Sequence, residues 1–257
     1  MRAVFGALLC VALLTACATT GGATGEPNYA QDAQANLDRG IAAYDSKNYE
    51  EAARYFEHVR NRYPFLDISK EAELRLADTY YARELFIEAR EAYQSFLKLN
   101  PTWPRADHAA FRAAKTWHEE IPSDFFLLPD VEEKEQKAVR NSVRALTDFV
   151  RRYPQSEYVK EAEALIAEDR AILARHELHV AKFYARREKW RAVTLRLETV
   201  ARDFKGLGFD EEALFGLYDA YSRLNEPERA KAALQEVIAR FPGTPAAARA
   251  QALLGQS

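Results

Sequence analysis

The chain has 257 residues, 48% of them hydrophobic and 29% charged, and its 36 Lys and Arg stand against 39 Asp and Glu for a formal net charge of −3. That supplies a sizeable core but is too polar for a multi-span membrane protein. The two signs of charge interleave instead of forming blocks, which leaves no electrostatic footprint for nucleic acid.

The first element is "MRAVFGALLCVALLTAC", with a basic start at Arg2, an apolar run from Ala3 to Leu14 and small residues before Cys17. A membrane span needs about 20 apolar residues, so residues 1–16 read as a secretory signal. Leu14-Thr15-Ala16-Cys17 resembles the bacterial lipobox. The resemblance implies cleavage before Cys17, S-diacylglycerol on its sulfur and N-acylation of its new amino group. An ordinary signal peptide with an incidental cysteine is the plainer alternative, but nothing else in the mature chain would use a thiol. Cys10 lies in the part removed, so no disulfide can form within the mature chain. One acyl chain holds a protein marginally and several hold it stably. Ala18 in place of an aspartate resembles lipoproteins exported to the outer membrane, where the lipid would enter the inner leaflet. Residues 17–32, including "ATTGGATGEPN", read as a flexible tether spanning on the order of 20 Å.

Internal repetition then sets the fold class. Ala52, Phe56 and Pro64 are spaced by four and eight residues, and Ala89, Tyr93 and Pro101 and then Ala230, Leu234 and Pro242 repeat that spacing. Degenerate copies lie at Ser142, Leu146 and Pro154, and at Tyr184, Val193, Leu197 and Lys205, the last without its proline. Tyr80 and Tyr221 precede their small residues by nine, and Tyr44 is one place off. Each unit reads as two antiparallel helices. Small residues such as Gly40 with Ala52, or Ala77 with Ala89, allow close approach, and proline stops the second helix. The spacings resemble the tetratricopeptide repeat, so the expected fold is an all-α helical solenoid of about five helix pairs, with repeats 1–3 in residues 33–155 and a long helix with repeats 4–5 in 156–257.

Two departures interrupt the pattern. "EEIPSDFFLLPDVEEKEQ" is inserted in the third unit, and its Phe125, Phe126, Leu127 and Leu128 are expected to pack on a neighbouring helix. From Ser156 to about Lys189 there is no Pro or Gly, and apolar residues recur at three and four, a helix of up to ~50 Å joining the two halves.

Catalysis is not expected. His176 and His179 flank Glu177, but "HELH" is not the HExxH zinc signature and no third ligand follows, so both imidazoles read as packing at the junction of the halves. Phosphate loops, Ser/His/Asp orders and cysteine nucleophiles are missing, and Glu50-Glu51 and Glu132-Glu133 sit in charged, solvated settings. What remains is binding along the first helices of the units, where Leu37, Ile41, Tyr44, Leu74, Tyr81, Phe111 and Lys115 are the expected peptide-binding residues. Any one of them reads equally well as inter-repeat core; the set says more than its members.

"RRYPQSEYVKEA", "ARHELHVAKFYARREKWRAV", Arg196 six residues after Trp190, and "EALFGLYDAYSRLNEPERA" together resemble the BamD family, tetratricopeptide lipoproteins of the outer-membrane β-barrel assembly machinery. The resemblance implies a lipid-anchored scaffold at the outer membrane, facing the periplasm, that receives unfolded barrel proteins and couples them to a BamA-like insertase. It places insertase binding at Trp190 and Arg196, admits accessory Bam lipoproteins as partners, and implies no cofactor beyond the lipid on Cys17. The alternative is a pilotin-like or envelope-organising tetratricopeptide lipoprotein. Lys205 in place of the usual proline and the Ala-rich end "AAARAQALLGQS" depart from the family pattern.

Overall fold

The computed structural model describes residues 29–122 and 136–255; Cys17 and the insertion residues Phe125 to Leu128 lie outside them. Within them the chain forms eleven helices and no strand: α1 (Tyr29–Asp45), α2 (Tyr49–Arg62), α3 (Asp67–Ala82), α4 (Phe86–Leu99), α5 (Ala106–Glu119), α6 (Lys137–Arg152), α7 (Val159–Ala185), α8 (Trp190–Asp203), α9 (Asp210–Arg223), α10 (Pro227–Arg240) and α11 (Pro245–Leu254). Each helix packs on the next, giving five antiparallel pairs and a final helix laid against α10. α1 begins at Tyr29, inside the stretch read as tether. No described helix is long and apolar enough to cross a membrane.

The repeated residues hold the pairs together. Ala52, Phe56, Ala89, Tyr93, Leu146 and Leu234 are all fully buried. Gly40 makes its closest approach to Phe56 and not to Ala52: a Cβ on Gly40 would stand 2.6 Å from a Phe56 ring carbon. The stops work as their chemistry requires. Pro64, Pro101, Pro154 and Pro242 each lie two residues past the end of α2, α4, α6 and α10. After α8, where Lys205 replaces proline, Gly206 and Gly208 turn the chain at φ +82° and +88°, and the Gly206 N–H donates to Asp210 Oδ2 at 2.8 Å. Arg240 from α10 pairs with the same Asp210 and donates to the Ala201 carbonyl at 2.9 Å, so a polar clip does here what a ring does elsewhere.

The turns inside the pairs carry a feature that local spacing does not show. Lys47, Glu84, Glu188 and Asn225 all adopt positive φ near 60°, one in each tight turn of units 1, 2, 4 and 5. In the first, Lys47 N–H donates to Tyr44 O (2.8 Å) and Asn48 N–H to Ala43 O (2.9 Å); the same two bonds recur at Glu84–Leu85, Glu188–Lys189 and Asn225–Glu226. This is the Schellman arrangement, usually given to glycine.

The odd-numbered helices also touch one another, α1 on α3, α3 on α5 and α5 on α7, beyond their contacts with the even helices. They therefore form the inner face of the array in its first half. α7, 27 residues and about 40 Å long at 1.5 Å per residue, packs on both α6 and α8 and belongs to both halves. Across that junction His118 Nδ1 lies 2.8 Å from Oδ1 of the fully buried Asp169.

A left-handed conformation costs a residue with a Cβ about 1–2 kcal/mol. Glu84→Gly is therefore expected to raise the unfolding free energy by up to about 1 kcal/mol, and Glu84→Val to lower it by about that much or more. Denaturant titration of the mature protein checks both, and a Val variant as stable as the parent would remove the strain from Glu84.

Candidate peptide face and docking surface

The seven residues expected to bind peptide separate by their place in the repeat. Leu37, Leu74 and Phe111 follow one another at steps of 37 residues, and they are 5%, 0% and 1% exposed. Leu37 packs with Ala52 and Phe56, Leu74 with Ala89 and Tyr93, and Phe111 with Leu146 and Phe149. Phe111 is further stacked on Tyr158, with ring centroids 4.9 Å apart and planes 6° from parallel. These three are core, which corrects their assignment to the binding face. Their side of each odd helix is turned toward the even helix of its own unit, the driest place in the pair.

Ile41, Tyr44, Tyr81 and Lys115 are only half-buried. Tyr44 meets Tyr49 edge-on at 5.4 Å, and Tyr81 meets Phe86 in the same way at 5.6 Å, so each tyrosine leans on the helix after its turn. The Tyr81 hydroxyl donates to Glu119 Oε1 at 2.6 Å, and burial together with that carboxylate raises it above an ordinary phenol. Lys115 donates to Glu161 at 2.8 Å and lies 3.8 Å from Glu119.

Around these four runs a ladder of charge that spacing alone did not reveal. Glu71 accepts from Arg75 and from Arg105, each at 2.9 Å. Asp78, nearly buried, accepts from the Tyr93 hydroxyl at 2.6 Å, has His108 Nε2 at 2.7 Å and Arg105 at 3.6 Å. Burial alone would raise the Asp78 carboxyl, but the hydrogen bonds from His108 and Tyr93 and the charge of Arg105 outweigh it and hold it below the usual range. Arg112 on α5 lies over the Tyr81 ring, 4.8 Å from its centroid. The step of 37 that joins Leu37 to Leu74 also joins Arg75 to Arg112 and Ile41 to Asp78 and Lys115, so the signal was in the sequence once the repeat length was applied to polar positions.

In the second half the two residues expected to bind an insertase part company. Trp190 and Arg196 are six places apart on α8, about 120° around the helix. Trp190 faces α9, lies under Arg223 at 4.5 Å and lines a cavity of about 190 Å³ with Leu178, Val193, Leu197 and Gly216. Arg196 reaches α7 instead and donates to Glu177 Oε2 at 3.0 Å, with its own side chain 40% exposed. Glu198 is taken by Tyr221 and by Arg229, the latter at 2.9 Å. His176 and His179 are half-buried on α7, and among the described residues no three His, Cys, Asp or Glu converge as metal ligands.

The division of the peptide face has an energetic consequence. Phe111→Ala is expected to cost about 3–5 kcal/mol, as for a core aromatic, whereas Tyr44→Ala and Tyr81→Ala should each cost about 1–2 kcal/mol. Denaturant melts of the three variants check this, and a Tyr81→Ala loss equal to that of Phe111→Ala would place Tyr81 in the core.

The YfiO family of outer membrane lipoproteins matches residues 29–237. The outer membrane protein assembly factor BamD of Neisseria gonorrhoeae is 28% identical over 236 residues, covering 90% of this chain and 88% of its own. That of Haemophilus influenzae is 28% identical over 219 residues, covering 83% of each. Among solved structures, the TPR2AB-domain:pHSP90 complex of yeast Sti1 aligns over 88% of this chain and 86% of its own, at 13% identity and a TM-score of 0.44. With more than half its length matched, from the start of α1 into α10, the chain belongs to the YfiO family of outer membrane lipoproteins.

Proposed function

We propose that this protein is an outer-membrane protein assembly factor: a lipid-anchored, non-enzymatic scaffold facing the periplasm that binds unfolded β-barrel proteins on the inner face of α1, α3 and α5 and couples them to a barrel insertase through its C-terminal half. The observation that carries the reading is the half-buried row of Ile41, Tyr44, Tyr81 and Lys115 on touching odd helices, in a chain whose relatives are named assembly factors. Such a row offers aromatic faces and hydrogen-bonding groups to an extended segment without the cost of opening the core. The reading needs no cofactor beyond acyl chains on Cys17. Accessory lipoproteins of the same machinery are further partners under it.

Two experiments test its two ends. Cys17→Ala removes the thioether and every acyl chain, and is expected to move the protein from the membrane fraction to the soluble fraction with its helical content intact. Retention of a normally processed Cys17→Ala protein in the membrane would overturn the anchor. At the other end, Arg196→Glu is expected to weaken binding of the insertase's periplasmic domains by more than about 2 kcal/mol, read by calorimetry. A circular-dichroism melt of the variant accompanies the titration, because the substitution sets a second carboxylate against Glu177, which is only 16% exposed. Unchanged insertase affinity would move the docking site off α8.

A further inference from the structure

Large apolar side chains left in water are usually scattered singly, but two of the most exposed ones among the described residues stand in neighbouring turns at one end of the array. Phe65, in the turn after α2, is 97% exposed, and Leu99, the last residue of α4, is 68% exposed. Lys70, in the first turn of α3, lies over the Trp103 ring at 5.4 Å, which sets the turn after α2 beside the turn after α4. Arg62 and Lys98 flank the two apolar side chains, are themselves exposed, and have no carboxylate within 4.0 Å among the described residues. Asp67, the acid next to Phe65, is taken by Lys70 at 2.7 Å. A helix dipole favours cations at the ends of α2 and α4, but it does not account for a phenylalanine and a leucine in water beside them.

This end of the array is the one at which the chain enters. α1 and α2 are antiparallel, so the start of α1 lies by the end of α2, where Ala33 shares a core with Val59 and Tyr63. Eleven residues separate Cys17 from Tyr29, and a chain of that length reaches at most about 40 Å. A lipid on Cys17 therefore keeps this end near the bilayer, at an effective concentration that lets weak contacts count. The opposite end differs. Ile87, 59% exposed at the start of α4, is twelve residues from Leu99, about 18 Å along the axis. Apolar side chains flanked by long cations, with the half-buried Trp103 behind them, have the chemistry of a surface that lies in a headgroup layer.

We propose that the turns after α2 and α4 rest on the inner leaflet of the outer membrane, with Phe65 and Leu99 entering the headgroup layer and Arg62 and Lys98 meeting lipid phosphates. This rests on Cys17 being the lipid anchor, as proposed above, and adds to it an orientation: the helices of units 1 and 2 stand upright on the bilayer, and their inner face opens sideways beneath it.

The test uses the mature protein, acylated on Cys17 and reconstituted into vesicles of phosphatidylethanolamine and phosphatidylglycerol. Acylation blocks the mature chain's own thiol, so Phe65→Cys, Leu99→Cys and Ile87→Cys each take a polarity-sensitive fluorophore at one place. Emission from positions 65 and 99 is expected to shift to the blue on reconstitution and to be quenched by spin-labelled lipid, with neither change at position 87. Adding Arg62→Glu and Lys98→Glu should bring the quenching at 65 down to the level at 87, and a circular-dichroism melt confirms that the variant folds; unchanged quenching would strike the cations from the contact. Unshifted emission at 65 and 99, in protein that floats with the vesicles, would overturn the contact and leave the anchor standing. Position 65 shielded from aqueous iodide yet not quenched by the lipid would overturn it in favour of a second copy of the chain. Equal quenching at all three positions would remove the orientation. If the acylated protein does not float with the vesicles, the anchor itself is wrong, and the inference falls with it.

Discussion

Two helices in this chain approach so closely that one side chain must be missing for another to fit. At Gly40 the space a Cβ would occupy is filled by the ring of Phe56, 2.6 Å from where that carbon would be, and at Gly216 by a methyl of Leu197 at 2.7 Å. The first contact closes unit 1 and the second joins units 4 and 5. Interiors packed at this density leave no slack, so the angle between the helices of each pair is set by which residue is small and which is large. The rest of the array inherits that angle: with it repeated, the odd helices meet one another and form an inner face.

Polar contacts then lock what the apolar ones set. Arg90, 8% exposed, lies 3.6 Å over the Trp117 ring and donates to Thr116 and Glu120, tying α4 to α5. His118 ties α5 to α7 through Asp169; that hydrogen bond raises the imidazole's pKa against the opposing effect of burial. A raised folded value means this pair's contribution is fully present below the unfolded histidine's pKa and fades as pH climbs through the folded one. Where proline is absent after α8, Asp210 and Arg240 take its place. Each of these locks bridges helices no more than two apart in the chain, as the stacking of a solenoid requires.

Much of this was legible in the sequence, and the boundary of legibility is physical. Helix stops were readable because proline acts on its own backbone: Pro64, Pro101, Pro154 and Pro242 fall where the sequence placed them. The long α7 was readable because its turns repeat an apolar face without interruption, although Lys189, expected near its end, instead caps α8. Which face of an odd helix is wet was not readable from periodicity within that helix. Leu37, Leu74 and Phe111 have the composition of a peptide groove, and only the step of 37 that sets them against Phe56, Tyr93 and Phe149 marks them as core. Left-handed turns at Lys47, Glu84, Glu188 and Asn225 were invisible because no glycine announces them. The ladder from Glu71 to Glu161 was not readable from local spacing because its links between helices, such as Arg105 to Glu71 and His108 to Asp78, join residues 34 and 30 apart.

The docking role proposed for Arg196 would have to work from within an ion pair. Arg196 does not wait bare in solvent; it is held by Glu177, a carboxylate only 16% exposed on the neighbouring helix. A part-buried pair of this kind contributes only modestly in net terms, because both groups lose hydration and rotamer freedom to make it. Exchanging Glu177 for a partner's carboxylate would leave a largely buried carboxylate unpaired, a cost that the partner's contacts must offset. Turning from Glu177 toward a partner would leave Arg196 an association that is reversible rather than of great affinity. Glu177, half-buried, has no such freedom to move, so the exchange must come from Arg196 turning outward. The same arrangement separates the two halves in kind: on the inner face Arg112 lies over the Tyr81 ring, and on α8 Arg196 is held by a carboxylate.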